Sequence, residues 1–179
     1  TTLRHEAETL ILRQPYGSRL PVRQGETVVS DGQTIRLIRR QYAAFHAKGD
    51  EVRQLMAHCL NTRHHDGHVR ERHFKPLLAA GQPAFVLPFA AQLLGEYVLP
   101  IQEQVRTFFR HNRAILAAFL AENPAYWRKQ QNRIRSYWHC YHSSRYPDWQ
   151  SYPVRLLAEE IDKEIARIVF RRPLTPNVV

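Results

Sequence analysis

Apolar residues recur every three to four positions along most of this chain, which is the periodicity of amphipathic α-helices. Clean alternation with a period of two is absent, and only residues 27–30 suggest a brief extended piece. The predicted helices cover residues 5–13, 31–48, 50–63, 68–78, 83–94, 100–121, 124–146 and 153–170. The pattern therefore predicts an all-α fold of about eight helices.

Residues that favour the ends of helices support several of these boundaries. Asp31 and Asp50 are suited to N-cap positions, and Pro124 is suited to the first turn of a helix. The helix at 83–94 is apolar nearly all round, which predicts a central buried helix. At 179 residues the chain is expected to form one compact domain over 1–179. That domain divides into an N-terminal helix and loop (1–32), a helical core (33–170) and a tail (171–179).

Two segments share a valine–arginine pair next to apolar residues. The stretch GHVRERHFKPLL resembles the second helix of a HEAT-type repeat, in which a turn glycine precedes such a pair. In IQEQVRTFF, Val105 and Arg106 repeat part of this pattern. The resemblance covers about residues 34–120, or roughly two repeats. It implies antiparallel helical hairpins, which is an architecture and not a function.

The charge balance narrows the class of partner. Twenty-six lysines and arginines face 16 acidic residues, giving a formal net charge of +10 that attracts anionic macromolecules. No apolar run approaches the length of a membrane span, so no membrane partner is expected. Cys59 and Cys140 are flanked in the sequence by apolar residues, which favours two free thiols, with one disulfide as the alternative, and a cytoplasmic location.

Aromatic and basic residues interleave in the segment 124–149, which contains all three tryptophans. Rings that stack on unpaired bases and cations that meet phosphates suit RNA. The alternative is a core stripe of Trp127, Ile134, Trp138 and Tyr141 with a solvated cationic face. The candidate binding residues on that face and on the preceding helix are Arg106, Arg110, Arg113, Arg128, Lys129, Arg135, His139 and Arg145.

Two arginine–histidine pairs in the same segment suggest a catalytic alternative. Arg133 precedes His139 and Arg135 precedes His142, with five and six intervening residues. These spacings resemble the motif of HEPN-type ribonucleases, all-α proteins in which such pairs from two subunits cut RNA. The resemblance implies proton transfer by the histidines and phosphorane stabilisation by the arginines, without a metal.

Histidines are also concentrated in one third of the chain, at positions 46, 58, 64, 65, 68 and 73. His64, His65 and His68 straddle a turn at Gly67, so we expect a polar turn and neither a metal site nor a cofactor.

Taken together, these patterns favour a non-catalytic binding or scaffold protein that docks RNA, a ribonucleoprotein or an acidic protein. The alternatives are a HEPN-like ribonuclease and a structural subunit of a larger assembly.

Overall fold

The computed structural model of the protein describes residues 25–79 and 81–171. These residues form a mostly helical fold with one two-stranded sheet, so the predicted helical class is confirmed. The described ranges contain six α-helices where the sequence predicted about eight over the whole chain: α1 (Glu51–Asn61), α2 (Gly67–Phe74), α3 (Leu87–Gln92), α4 (Leu99–Glu122), α5 (Pro124–Tyr137) and α6 (Pro153–Arg171). The predicted helix at 5–13 and tail residues 172–179 lie outside the described residues.

Shorter helical turns connect these helices. Four 3₁₀ turns span Lys75–Leu78, Ala84–Val86, Leu93–Gly95 and Trp149–Ser151, and a π-helical turn spans Trp138–His142. Asp50 caps α1 by accepting a 2.9 Å hydrogen bond from the backbone N–H of Arg53, as predicted. Pro124 occupies the first turn of α5, also as predicted.

The predicted helix at 31–48 is wrong, because its first part is a β-strand. β1 (Gly25–Ser30) pairs antiparallel with β2 (Gln33–Ile38), and Ser30 lies opposite Gln33. Asp31 and Gly32 have φ angles of 52° and 68°, so they form the two-residue turn that suits a twisted hairpin. Asp31 is therefore a turn residue and not an N-cap. The spacing of the apolar residues in this segment misled the prediction, whereas Asp-Gly was the hairpin signal.

β1 does alternate with a period of two, contrary to expectation. Glu26, Val28 and Ser30 are buried, whereas Gly25, Thr27 and Val29 are exposed. The backbone of Val29 exchanges two 2.8 Å hydrogen bonds with the Asn123 side chain, which lies between α4 and α5. The hairpin is thereby fixed against the helices, and the Glu26 carboxylate is turned inward.

The segment from Ala84 to Gly95 contributes to the hydrophobic core, as its apolar pattern predicted, but only Leu87–Gln92 is α-helical where one helix over 83–94 was expected. Its buried residues include Val86, Leu87, Ala90, Ala91, Leu93 and Leu94. The long helix α4 packs most extensively against α6. It bends at Asn112, whose side chain donates to the carbonyl oxygens of Phe108 and Ala79. The HEAT-type pairing of the helices stays a prediction.

Within the described residues, every helix is too short or too polar to cross a lipid bilayer.

Candidate functional site

A cleft of about 480 Å³, lined mainly by charged and polar residues, lies between the β-hairpin and α5. It is lined by Gly25, Glu26, Arg39, Lys129, Asn132, Arg133 and Ser136. Three of these residues are basic and one is acidic, so the lining carries a positive formal charge. Such a cleft can bind a phosphate or a carboxylate group.

Glu26 organises the cations of this cleft. Its side chain is 7% exposed and accepts a 3.1 Å hydrogen bond from Gln130 Nε2. Arg133 Nη2 forms an ion pair with Glu26 Oε1, and Lys129 Nζ lies 3.4 Å from the same oxygen. The side chains of Arg133 and Lys129 remain 22% and 56% exposed, so both cations can be reached from solvent.

Arg39 reaches the cleft because a buried arginine holds the chain beyond β2. Arg63 Nε donates to the carbonyl oxygen of Ile38 at 3.1 Å, and its Nη2 donates to that of Arg39 at 2.6 Å. Burial, together with the nearby charge of Arg40, lowers the pKa of Arg63 to about 9, which leaves the guanidinium charged at neutral pH. Arg63 therefore adds buried positive charge behind the cleft.

Gly95 allows α5 to approach closely at the same place. A Cβ atom at this position would lie 2.8 Å from Gln130 Oε1 and 3.0 Å from Arg133 Cβ. Both distances are shorter than ordinary van der Waals contacts, so any other residue would displace α5 or these side chains. The missing side chain of Gly95 thus helps to set the position of Arg133.

The π-helical turn at the end of α5 changes which residues face the core. In an uninterrupted α-helix Tyr141 would share a face with Ile134, as the sequence predicted. The wider i→i+5 turn acts as a one-residue insertion, so His142 occupies the buried position at 5% exposure. Tyr141 is 60% exposed, and its assignment to the core stripe is wrong. Trp127 and Ile134 are buried as predicted, and Trp138 is half-buried.

Tyr141 belongs to a tyrosine cluster formed by Tyr97, Tyr137 and Tyr141. The rings of Tyr97 and Tyr141 stack with centroids 5.1 Å apart and planes 27° apart. Tyr137 meets Tyr97 and Tyr141 edge-on at 5.6 Å and 5.8 Å. The cluster joins the end of α5 to the segment that precedes α4.

His142 lies on the buried side of the tyrosine cluster. Its ring stacks on the buried ring of Tyr152 with centroids 5.6 Å apart. Burial lowers the pKa of His142, although a hydrogen bond with the Tyr97 backbone opposes this shift. A neutral imidazole in this position packs between the protein core and the backbone of Tyr97.

A second ion-pair cluster lies nearby and contains a fully buried arginine. Glu96 is 3% exposed and pairs with Arg70, which is fully buried, and with Arg40 at 3.0 Å. Arg70 Nη1 also donates to the carbonyl oxygens of His64 and His65 at 2.9 Å and 2.8 Å. These contacts tie α2 to the segment before α4, which is a structural role.

The predicted cationic residues are distributed over several surfaces. Lys129 alone among them lines the cleft described above. The others are exposed: Arg106, Arg110 and Arg113 on α4, Arg128 and Arg135 on α5, His139 in the π-helical turn, and Arg145 beyond it. The guanidinium of Arg113 lies 5.6 Å from the Phe109 ring and that of Arg145 lies 5.8 Å from the Tyr146 ring.

The four residues of the ribonuclease hypothesis have different surroundings. Arg133 is held by Glu26 and His142 is buried against Tyr152. Arg135 and His139 are exposed. The π-helical turn explains why His142 is buried, since it places this residue one position further round the helix. The ribonuclease hypothesis stays a prediction.

Two of the histidines between positions 46 and 73 form a hydrogen-bonded pair. His58 Nδ1 lies 2.8 Å from His73 Nδ1, between α1 and α2. Burial, with the nearby His58 as the next cause, lowers the pKa of His73 to about 4. Across the described residues no group of three or more potential metal ligands converges.

Sequence reasoning missed three residues of this region. Arg39 was assigned to a helix that does not form, so its proximity to Lys129 was not visible. Glu26 lay in a segment interpreted as a loop, although the Asp-Gly turn could have revealed its strand. Tyr97 had no sequence signal that linked it to Tyr141.

Compared with known proteins, the chain matches no family model, no curated protein and no solved structure.

Proposed function

We propose that this protein is a non-catalytic binding protein that docks RNA through the cleft between the hairpin and α5. The observation that carries the proposal is the presence of Arg39, Lys129 and Arg133 in one cleft whose only acidic lining residue is Glu26. The carboxylate holds two of these cations in place without neutralising all three. A phosphate group would supply the missing negative charge.

Two features favour RNA over an acidic protein. Arginine presents a planar fork that matches phosphate oxygens, and two of the three cleft cations are arginines. The partly exposed Tyr137 and the exposed Tyr141 follow Arg133 along α5 and the π-helical turn, and aromatic rings are the usual partners of unpaired bases. The net charge of +10 adds long-range attraction for any polyanion.

The test measures the affinity for a fluorescein-labelled, mixed-sequence RNA strand by fluorescence anisotropy over a range of salt concentrations. Neutralising three phosphates on a single strand predicts a slope of log K against log[salt] of about −2. Arg39→Glu should weaken binding about ten-fold at low salt and flatten this slope, because it reverses one cleft charge.

Lys163→Glu is the matched control, because it changes the net charge by the same amount. Lys163 is an exposed residue of α6, next to Asp162 in the sequence. Trp127 and Gln131 contact Asp162 of α6, and they lie nearly opposite Lys129 and Arg133 on α5. Equal losses in the two variants would reduce the interaction to net charge and reject the cleft. Tighter binding of polyglutamate than of RNA would reject RNA as the partner.

A further inference from the structure

The tyrosine cluster is an exposed aromatic surface next to the cleft. Tyr137 and Tyr141 follow Arg133 at intervals of four residues along α5 and the π-helical turn. Residues four apart in a helix lie on one face, about 6 Å along the axis. Arg133 and Tyr137 therefore lie next to each other on α5, and the Tyr137 ring contacts the Tyr141 ring at 5.8 Å between centroids.

Packing of the core does not account for the exposure of these rings. Tyr141 is 60% exposed and Tyr97 is 36% exposed. The buried position that Tyr141 would occupy is filled by His142, so the π-helical turn itself directs Tyr141 to solvent. π-helical turns often occur where a side chain is placed for function.

The cluster is also held in a fixed arrangement before any ligand binds. Tyr97 stacks on Tyr141, meets Tyr137 edge-on, and lies 5.8 Å from the guanidinium of the buried Arg70. His142 packs beneath, against Tyr152 and the Tyr97 backbone. Rings that are already ordered lose little entropy when a planar ligand stacks on them.

We infer that Tyr97, Tyr137 and Tyr141 form a stacking platform for unpaired bases of the RNA strand whose phosphates occupy the cleft. The inference rests on the proposed function and adds that the ligand is single-stranded. A base in a duplex has both faces covered by its neighbours, whereas an unpaired base can stack on a tyrosine ring.

The experiment compares a mixed-sequence RNA strand with the same strand annealed to its complement, using wild type and two tyrosine variants. Tyr141→Ala should weaken single-strand binding about ten-fold, the order expected for the loss of one base–aromatic stack. Tyr141→Phe should bind like wild type, because the ring is kept. Duplex binding should be weaker in wild type and unaffected by Tyr141→Ala.

Tyr42→Ala is the matched control, since Tyr42 is 76% exposed and its ring contacts His65 and not the tyrosine cluster. Circular dichroism melting should show that each variant keeps the wild-type transition. A fluorescent purine analogue placed in the strand should be quenched on binding to wild type and not to Tyr141→Ala.

The outcomes separate the two proposals. If Arg39→Glu weakens binding while Tyr141→Ala does not, the cleft binds RNA and the stacking platform is rejected. If duplex and single strand bind equally, the platform is likewise rejected. If wild type binds neither form, the proposed function is rejected and the stacking platform is rejected with it.

Discussion

Glu26 and Glu96 are both buried carboxylates that hold two basic side chains, but their partners differ in exposure. Glu96 pairs with Arg70, which is fully buried, and with Arg40, whose side chain is 29% exposed. The partners of Glu26, Arg133 and Lys129, are 22% and 56% exposed at the side chain. The first cluster keeps one of its cations fully buried, whereas both cations of the second line a cleft and can be reached from solvent.

This difference shows how similar residue types acquire different roles. In a buried ion pair, the attraction between the two charges offsets the cost of removing them from water. No charge then remains accessible to a ligand. A half-exposed cation fixed by a carboxylate keeps its orientation and can still meet a phosphate. The accessibility of both cations, rather than the presence of an ion pair, distinguishes the proposed binding site from the structural cluster, in which Arg70 is fully buried.

The largest expected effect follows from breaking the closed cluster. Arg70→Met leaves the Glu96 carboxylate buried with one partner, and we expect a loss of ~3–5 kcal/mol in the free energy of unfolding. Urea denaturation measures this loss. Arg167→Met, which breaks the exposed pair of Arg167 and Glu164, should cost less than about 0.5 kcal/mol.

The double variant Arg70→Met/Glu96→Leu should recover much of the lost stability, because no uncompensated charge remains. A single Arg70→Met variant as stable as wild type would contradict the structural role of this cluster.

The next largest effect concerns Gly95, which precedes Glu96 and contacts Arg133. Gly95→Ala places a Cβ within 3.0 Å of the α5 side chains, and we expect a loss of ~1–3 kcal/mol in unfolding free energy. Because Arg133 must move, RNA affinity should fall as well. Denaturation and anisotropy measured on the same protein test both effects.

Gly32→Ala introduces backbone strain without displacing any neighbouring side chain, and so serves as the comparison for Gly95→Ala. Gly32 has a φ of 68°, and an added Cβ would meet no atom within 4 Å, so alanine there costs ~1–2 kcal/mol of backbone strain alone. Its RNA affinity should remain that of wild type. Equal affinity losses at Gly32 and Gly95 would contradict the role of Gly95 in placing Arg133.

A smaller effect is expected for the two carboxylates in RNA binding. Glu26→Gln removes the negative charge from the cleft, and affinity at low salt should rise roughly five-fold, or about 1 kcal/mol. Glu96→Gln should leave affinity unchanged in protein that remains folded. Anisotropy measured on both variants tests this, and weaker binding by Glu26→Gln would show that the carboxylate mainly positions Arg133.

The smallest expected effect is the loss of stability at acidic pH, because solvent screens the charge of a half-buried imidazole. The pKa of His73 is about 4 in the folded protein, against a usual value of 6.5. Between these values the unfolded chain binds more protons, so the free energy of unfolding falls as pH falls from about 6.5 toward 4. Thermal melting across this range should show a shallower decline for His73→Gln, and an unchanged decline would contradict this assignment.

Several parts of the fold could be predicted from the sequence. The Asp50 cap, the apolar segment after Pro83, the start of α5 at Pro124 and the final helix all depend on local preferences. The hairpin was missed because the spacing of Ile35 and Ile38 fits a helical face, although Asp31-Gly32 was a local turn signal.

The candidate site was less predictable, because its residues are far apart in the chain. Lys129 and Arg133 were recognised as cations of the aromatic helix, but Glu26 and Arg39 meet them only after the hairpin docks on α5. The exposure of Tyr141 depends on a π-helical turn, which periodicity based on 3.6 residues cannot reveal.

The sequence by itself determined the helical class, the positive charge and the concentration of rings and cations after Pro124. These properties depend on composition and on spacing within single segments. Only the tertiary structure decided which cations remain accessible, which carboxylate holds them and which tyrosines face solvent. Those outcomes depend on burial and on contacts between residues more than ninety positions apart, such as Glu26 and Gln130. Local patterns carry no information about such contacts.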